Sequence, residues 1–186
     1  MIEDLKIEIY KEYPAKKISF SVPPSHRTIF FRSHTKFTSD QKFWLSFPRM
    51  KFAAVDSWAG GLLYTAFQKE NLLYYPHLPN VYQDLKICMG SISLDENDIE
   101  KSVNHLLKVF WQSQFNCGTT EALRNYVKVE QAELVQGNRI TPGLTHTGEQ
   151  KILEFLQEWE RKTKDSPSWM PDDGLIPFLG IGPLKE

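Results

Sequence analysis

The chain has 186 residues, 41% apolar and 24% charged, with 22 Lys and Arg against 23 Asp and Glu. That is the profile of an ordinary globular protein, and it argues against a disordered chain or one that selects partners by bulk charge. Lys11, Lys16 and Lys17 make only a short basic cluster. They read as a solvated strand edge, so no direct nucleic-acid partner is expected.

Length favours one main domain, expected over residues 1–165, with an irregular tail over 166–186. Twelve Phe, seven Tyr and five Trp supply bulky core material, and each buried Leu, Ile or Phe stabilises by roughly 1.5–3 kcal/mol. The acidic start, Met1 to Leu5, carries no apolar signal run, and no apolar stretch approaches membrane-spanning length. The two cysteines, Cys88 and Cys117, could form one disulfide, yet two thiols in a long chain fit a reducing, cytoplasmic setting. No metal-ligand spacing is present, so no metal is expected.

The first third reads as strands. Leu5 to Tyr10 alternates in part and Ile18 to Val22 strictly, up to the stop at Pro23-Pro24. Thr28–Arg32 and Lys51–Val55 follow, then Leu62–Phe67 after Gly60-Gly61. Short strands with brief turns predict an antiparallel meander. Leu72 to Ser91 reads as an irregular loop with two prolines.

A capping box at Ser93-Leu94-Asp95-Glu96 predicts a helix with Ile99, Val103, Leu106, Leu107 and Phe110 on one face, ending near Gly118. Thr120 to Val135 is a candidate helix, interrupted by Tyr126, Val127 and Val129 as weak helix formers. A further helix is expected from about Thr147, with Ile152, Phe155, Leu156 and Trp159 as its stripe. The tail holds Trp169, Met170, Leu175, Ile176 and Phe178 among its Pro and Gly, and is either packed on the body or a partner-binding arm.

The segment from Leu78 to Met89 carries the chemistry. Pro79, Asn80, Val81, Tyr82, Ile87 and Cys88 stand at the spacing of the active-site signature of ubiquitin-conjugating (E2) enzymes. There, His-Pro-Asn with a β-branched residue and Tyr is followed by Gly-x-Ile-Cys. Here Leu78 replaces the histidine, with His77 one position earlier, and Leu85 replaces the glycine. Loss of that histidine resembles a prokaryotic E2-like branch, and within it the family of protein B of the PRTRC plasmid-associated cassette. Phe52 to Val55, Tyr64 to Phe67, Tyr74-Tyr75-Pro76, Cys88 to Ser91 and the Trp111-x-Ser113-x-Phe115 run extend the resemblance over about residues 47 to 118.

The resemblance implies a UBC-like fold: a four-stranded antiparallel meander, an active-site loop across it and flanking helices. It implies that Cys88 accepts the C-terminal acyl group of a ubiquitin-like protein and passes it to an amine. Asn80 would donate to the oxyanion or brace the loop, a positioned donor being worth about 2.7–4 kcal/mol in such reactions. Pro79, Tyr82 and His77 would support the loop, Pro79 by fixing its φ. The implied partners are a ThiF-type E1-like adenylating enzyme, a ubiquitin-like protein and a JAB-type protease, with no cofactor in this chain. The rival is a non-catalytic adaptor of the same fold. A thiol-redox protein is a third possibility, weakened because Cys88 has no resolving cysteine close in sequence.

Overall fold

The structure, a computed structural model, describes residues 2–9, 16–33, 39–55, 61–89, 98–116, 123, 127, 131–136, 139–144, 146–171, 175–180 and 183–184. Ten strands and two long helices organise this part of the chain. β1 (Glu3–Ile9), β2 (Lys16–Val22), β5 (Met50–Val55), β6 (Leu62–Lys69) and β7 (Leu72–Tyr74) form one antiparallel sheet in the order β1-β2-β5-β6-β7. β3 (Ser25–Arg32) pairs antiparallel with β4 (Gln41–Phe47) and parallel with β8 (Gln114–Asn116). β9 (Gln131–Gln136) and β10 (Arg139–Leu144) make a separate antiparallel hairpin.

The five-stranded sheet continues into one long bent ribbon. Val22 faces Met50 and Ser25 faces Phe47, which is a single unbroken register running from β2–β5 into β3–β4. Pro23-Pro24 on one strand and Pro48 on the other sit at the bend. Lacking N–H groups, they interrupt the ladder without shifting it. Alternation then sorts the side chains. Ile18, Phe20, Ile29, Phe31, Phe43, Leu45, Phe47, Met50 and Phe52 are all buried in one core, while Phe30 and Trp44 face out.

Helix α1 (Ile99–Gln112) lays Val103, Leu106 and Phe110 into that core, with the Phe110 ring edge-on to Phe52 at 5.5 Å. Its N-cap is Asp98, whose carboxylate accepts the Lys101 N–H at 2.9 Å. The predicted cap at Ser93 to Glu96 lies outside the described residues. The helix stops at Gln112, short of the expected Gly118. Ser113 donates both its N–H and its hydroxyl to the Phe110 carbonyl, and the chain from Gln114 pairs with β3 instead. The candidate helix over 120–135 is corrected at its end, where Gln131–Gln136 is strand. One helical bond, from the Val127 N–H to the Leu123 carbonyl, is described upstream of it.

Helix α2 (His146–Asp165) starts where expected and covers the free edge of β4. Glu160 accepts the Trp44 N–H, Thr163 accepts the Ser46 N–H, and the Trp159 indole donates to the Ser46 carbonyl at 3.0 Å. An edge strand is thus satisfied by side chains rather than left as a pairing template. On the opposite face of the five-stranded sheet, Ala53, Ala66, Leu73, Leu85, Phe178 and Leu184 make a second apolar cluster. The tail reaches it by pairing with β7: Ile176 accepts the Tyr75 N–H, and Phe178 donates to the Leu73 carbonyl. Among the described residues, no helix is long and apolar enough to cross a membrane.

Candidate functional site

Residues 80–88 form a small hairpin. Val81 bridges Ile87, the Tyr82 N–H donates to Lys86, and the Cys88 N–H donates to the Asn80 carbonyl at 2.8 Å. The turn is closed by the Leu85 N–H on the Tyr82 carbonyl and by Asp84, whose carboxylate accepts the Lys86 N–H. Leu85 sits at φ 69. A three-residue hairpin loop places a left-handed residue there, which is why glycine suits the position. Here leucine takes it and is 1% exposed in the second cluster.

The hairpin is docked on β6. Thr65 donates to the Leu85 carbonyl and Ile87 donates to the Leu63 carbonyl, extending the sheet beside the short β7. Strand alternation then divides the hairpin. Val81 and Ile87 turn into the main core at 3% and 4% exposure, while Asn80, Tyr82, Lys86 and Cys88 share the opposite face. Of these, Cys88 is exposed and its thiol is free.

Asn80 is 1% exposed. Its amide donates to the Ser113 hydroxyl at 3.3 Å, and that hydroxyl donates on to the Phe110 carbonyl at 2.7 Å. Its side-chain oxygen is buried with no hydrogen-bond partner among the described residues. This bond ties the loop to the end of α1 through a side chain, not through the backbone bond expected of a bracing Asn80. Ser113 was missed as a site residue, although it is the serine of the Trp-x-Ser-x-Phe run.

Tyr82 and Cys88 lie diagonally on their shared face. The phenol is held above its ordinary value, first by its hydrogen bond to Cys88, then by burial and the nearby charge. The Lys86 ammonium sits 4.9 Å from the centroid of the same ring. Pro79 is buried at the base of the hairpin. Leu78, in the place of the motif histidine, is a core residue at 1% exposure.

His77 is not presented alongside the thiol. It is 4% exposed, at φ 47, with its ring edge-on to Phe155 of α2 at 6.3 Å. Burial pushes its pKa down to about 4, so the imidazole is neutral at physiological pH. Cys117 lies outside the described residues.

The family model of prokaryotic E2 family D matches residues 8–152. The match is wider than the span of about 47 to 118 over which the motif resemblance runs, and takes in the bent ribbon, both described hairpins and the start of α2. No curated protein and no solved structure matches the chain. A family match over this much of the sequence, with an exposed cysteine on a hairpin fixed to a mixed α+β body, places the chain in prokaryotic E2 family D.

Proposed function

We propose that this protein is an E2-like carrier whose Cys88 forms a thioester with the C-terminus of a ubiquitin-like protein and passes the acyl group to an amine. The supporting observation is the exposed thiol at the end of a hairpin, fixed by the Cys88 N–H on the Asn80 carbonyl and seated on β6. A thiol so held meets a large acylated partner without the body of the protein in the way. The donor would be a ThiF-type E1-like enzyme, which uses ATP, so this chain requires no cofactor of its own. Absence of the motif histidine favours the branch that includes PRTRC protein B. Residues 1–165 would act as one E2-like body, with 166–186 laid along it, in a reducing cytoplasm.

In this scheme Cys88 is the reacting group and Asn80 acts through the loop, since its amide is engaged by Ser113. Pro79 and Tyr82 hold the hairpin, and His77 contributes packing. One observation favours the adaptor alternative: among the described residues, Leu78 stands in place of the motif histidine and the Asn80 carboxamide is buried rather than open to an oxyanion.

The test is incubation with the E1-like enzyme, ATP and ubiquitin-like protein encoded beside the gene. A reductant-sensitive adduct on wild type is expected, converted by Cys88→Ser to a reductant-resistant ester or lost. No adduct on correctly folded wild type would leave the adaptor.

A further inference from the structure

We infer that the outer edge of β1 pairs with β1 of a second copy of this chain, antiparallel and centred on Ile7, so that two five-stranded sheets join into one. The inference does not rest on the thioester chemistry proposed above.

β1 is the last strand of its sheet, and among the described residues only β2 pairs with it. A row of backbone N–H and C=O groups on such an edge is a template for another strand. The edge of β4 is treated differently, since Trp159, Glu160 and Thr163 of α2 satisfy it. The face beside the β1 edge is also apolar. Ile7 stands directly opposite Ile18, which is fully buried in the main core, so the two share that face. Yet Leu5 and Ile7 are 45% and 44% exposed. The core face of the sheet therefore runs past the cover that the rest of the described chain gives it.

The charges on the strand select a second copy as the occupant. Two antiparallel strands related by a two-fold axis place one residue opposite itself. With Ile7 on the axis, Lys6 of each copy lies opposite Glu8 of the other, and Ile7 meets Ile7 on the apolar face. Opposite charges directly across a strand pair stabilise it, and like charges weaken it. With Lys6 on the axis, lysine would meet lysine and Asp4 would meet Glu8. With Glu8 there, glutamate would meet itself. Centring on Leu5 would bring Lys6 to Asp4, but the register shifts between Glu3 and Lys6, Asp4 sits at φ 52, and its carboxylate is held by Arg49. The regular stretch of β1 thus fits itself in one register. The thiol hairpin is docked on β6, towards the other edge of the sheet, so pairing at β1 leaves Cys88 of both copies open.

The experiment uses the full chain. Sedimentation velocity from low-micromolar to near-millimolar concentration is expected to show a monomer–dimer equilibrium. Lys6→Glu sets like charges opposite each other at two symmetric places and should weaken the dimer by about tenfold or more. In a Cys88→Ser background, Ile7→Cys should oxidise to a linked dimer with the bridge mapped to position 7 of both chains. Leu5→Cys should link to itself at least tenfold more slowly, since only the residue on the axis faces its own copy. Unchanged amide exchange at Phe20 and Phe52 checks that each variant stays folded. A monomer at every concentration overturns the inference, whether the β1 amides exchange freely or are protected by another segment of the chain or by an added ubiquitin-like protein. A dimer indifferent to Lys6→Glu, or linked at position 5 as readily as at 7, also overturns it, because its interface or its register is another one. None of these outcomes bears on whether Cys88 accepts an acyl group.

Discussion

Asn80 serves the thiol hairpin twice, accepting the Cys88 N–H on its carbonyl and donating its amide to Ser113. A brace and a reacting donor make different predictions for Ser113. If Asn80 acts as a brace, Ser113→Ala and Asn80→Ala each cost about 1 kcal/mol, and the double variant costs little more than either. Both singles should also speed amide exchange at Cys88. Urea titrations of the four proteins measure the coupling. Additive losses, with exchange at Cys88 unchanged in Ser113→Ala, would return Asn80 to the oxyanion role. His77 gives a second test at this scale. Its folded pKa of about 4 lies below the ordinary 6.5, so between these values the unfolded chain binds the extra proton. Stability then rises with pH through that window and falls as acid is added. This residue alone accounts for a loss of up to roughly 3 kcal/mol by pH 4. His77→Asn, which tolerates the positive φ, should flatten the profile between pH 4 and 6.5. Parallel profiles for wild type and variant would contradict it.

At the scale of elements, leucine in a left-handed turn position is a cost accepted for packing. The left-handed conformation costs Leu85 about 1–2 kcal/mol, and full burial returns about 1.5–3 kcal/mol. Leu85→Gly should therefore change stability little, lowering it by about 1 kcal/mol, in contrast to an ordinary buried Leu→Gly change. A loss above 4 kcal/mol in urea unfolding would show that the strain is absent. Thr163 is a sharper case. Its hydroxyl accepts the buried Ser46 N–H of β4 and donates to the Trp159 carbonyl. Thr163→Val orphans that N–H and should cost about 1–3 kcal/mol; a neutral result would mean that α2 does not satisfy the edge.

β2 with its strict alternation and β6 after its Gly-Gly turn were legible in the sequence, as was α2 with its apolar stripe. β4 was not singled out, although Phe43, Leu45 and Phe47 alternate. The end of α1 was hidden because Trp111 and Phe115 continue a helical spacing, while the stop depends on where the Ser113 hydroxyl bonds. The end of the candidate helix over 120–135 went to strand because β9 has a partner in β10, and a pairing partner outweighs weak local propensity.

Across the whole molecule, the thiol hairpin on β6 is fastened from two further sides, the end of α1 and the tail, and neither contact showed in the sequence. The motif from Pro79 to Cys88 announced the hairpin itself. The Trp-x-Ser-x-Phe run carried Ser113 without revealing that Asn80 would reach it across thirty-three positions. Nothing local announced the second fastening, because it joins residues far apart in sequence. Leu85 shares a cluster with Phe178 and Leu184 of the tail, and Phe178 also bonds to β7 and packs edge-on to Tyr75 at 5.6 Å. Gly180 permits this seat, since a Cβ there would lie 2.7 Å from the Phe178 ring. The tail is thus a strap whose apolar residues hold the turn of the hairpin against the sheet. Truncation before Leu175 should uncover Leu85 and weaken the bonds joining Leu85 and Ile87 to β6. Amide exchange at Thr65 and Ile87 should rise by tenfold or more, while Phe20 and Phe52 at the centre of the sheet change far less. Phe178→Ala, a large-to-small change at 7% exposure, should reproduce the same pattern at a cost of about 3 kcal/mol. If exchange instead rises uniformly across the sheet, the tail supports the body as a whole. If Thr65 and Ile87 keep their protection without it, the hairpin stands on β6 and Ser113 alone.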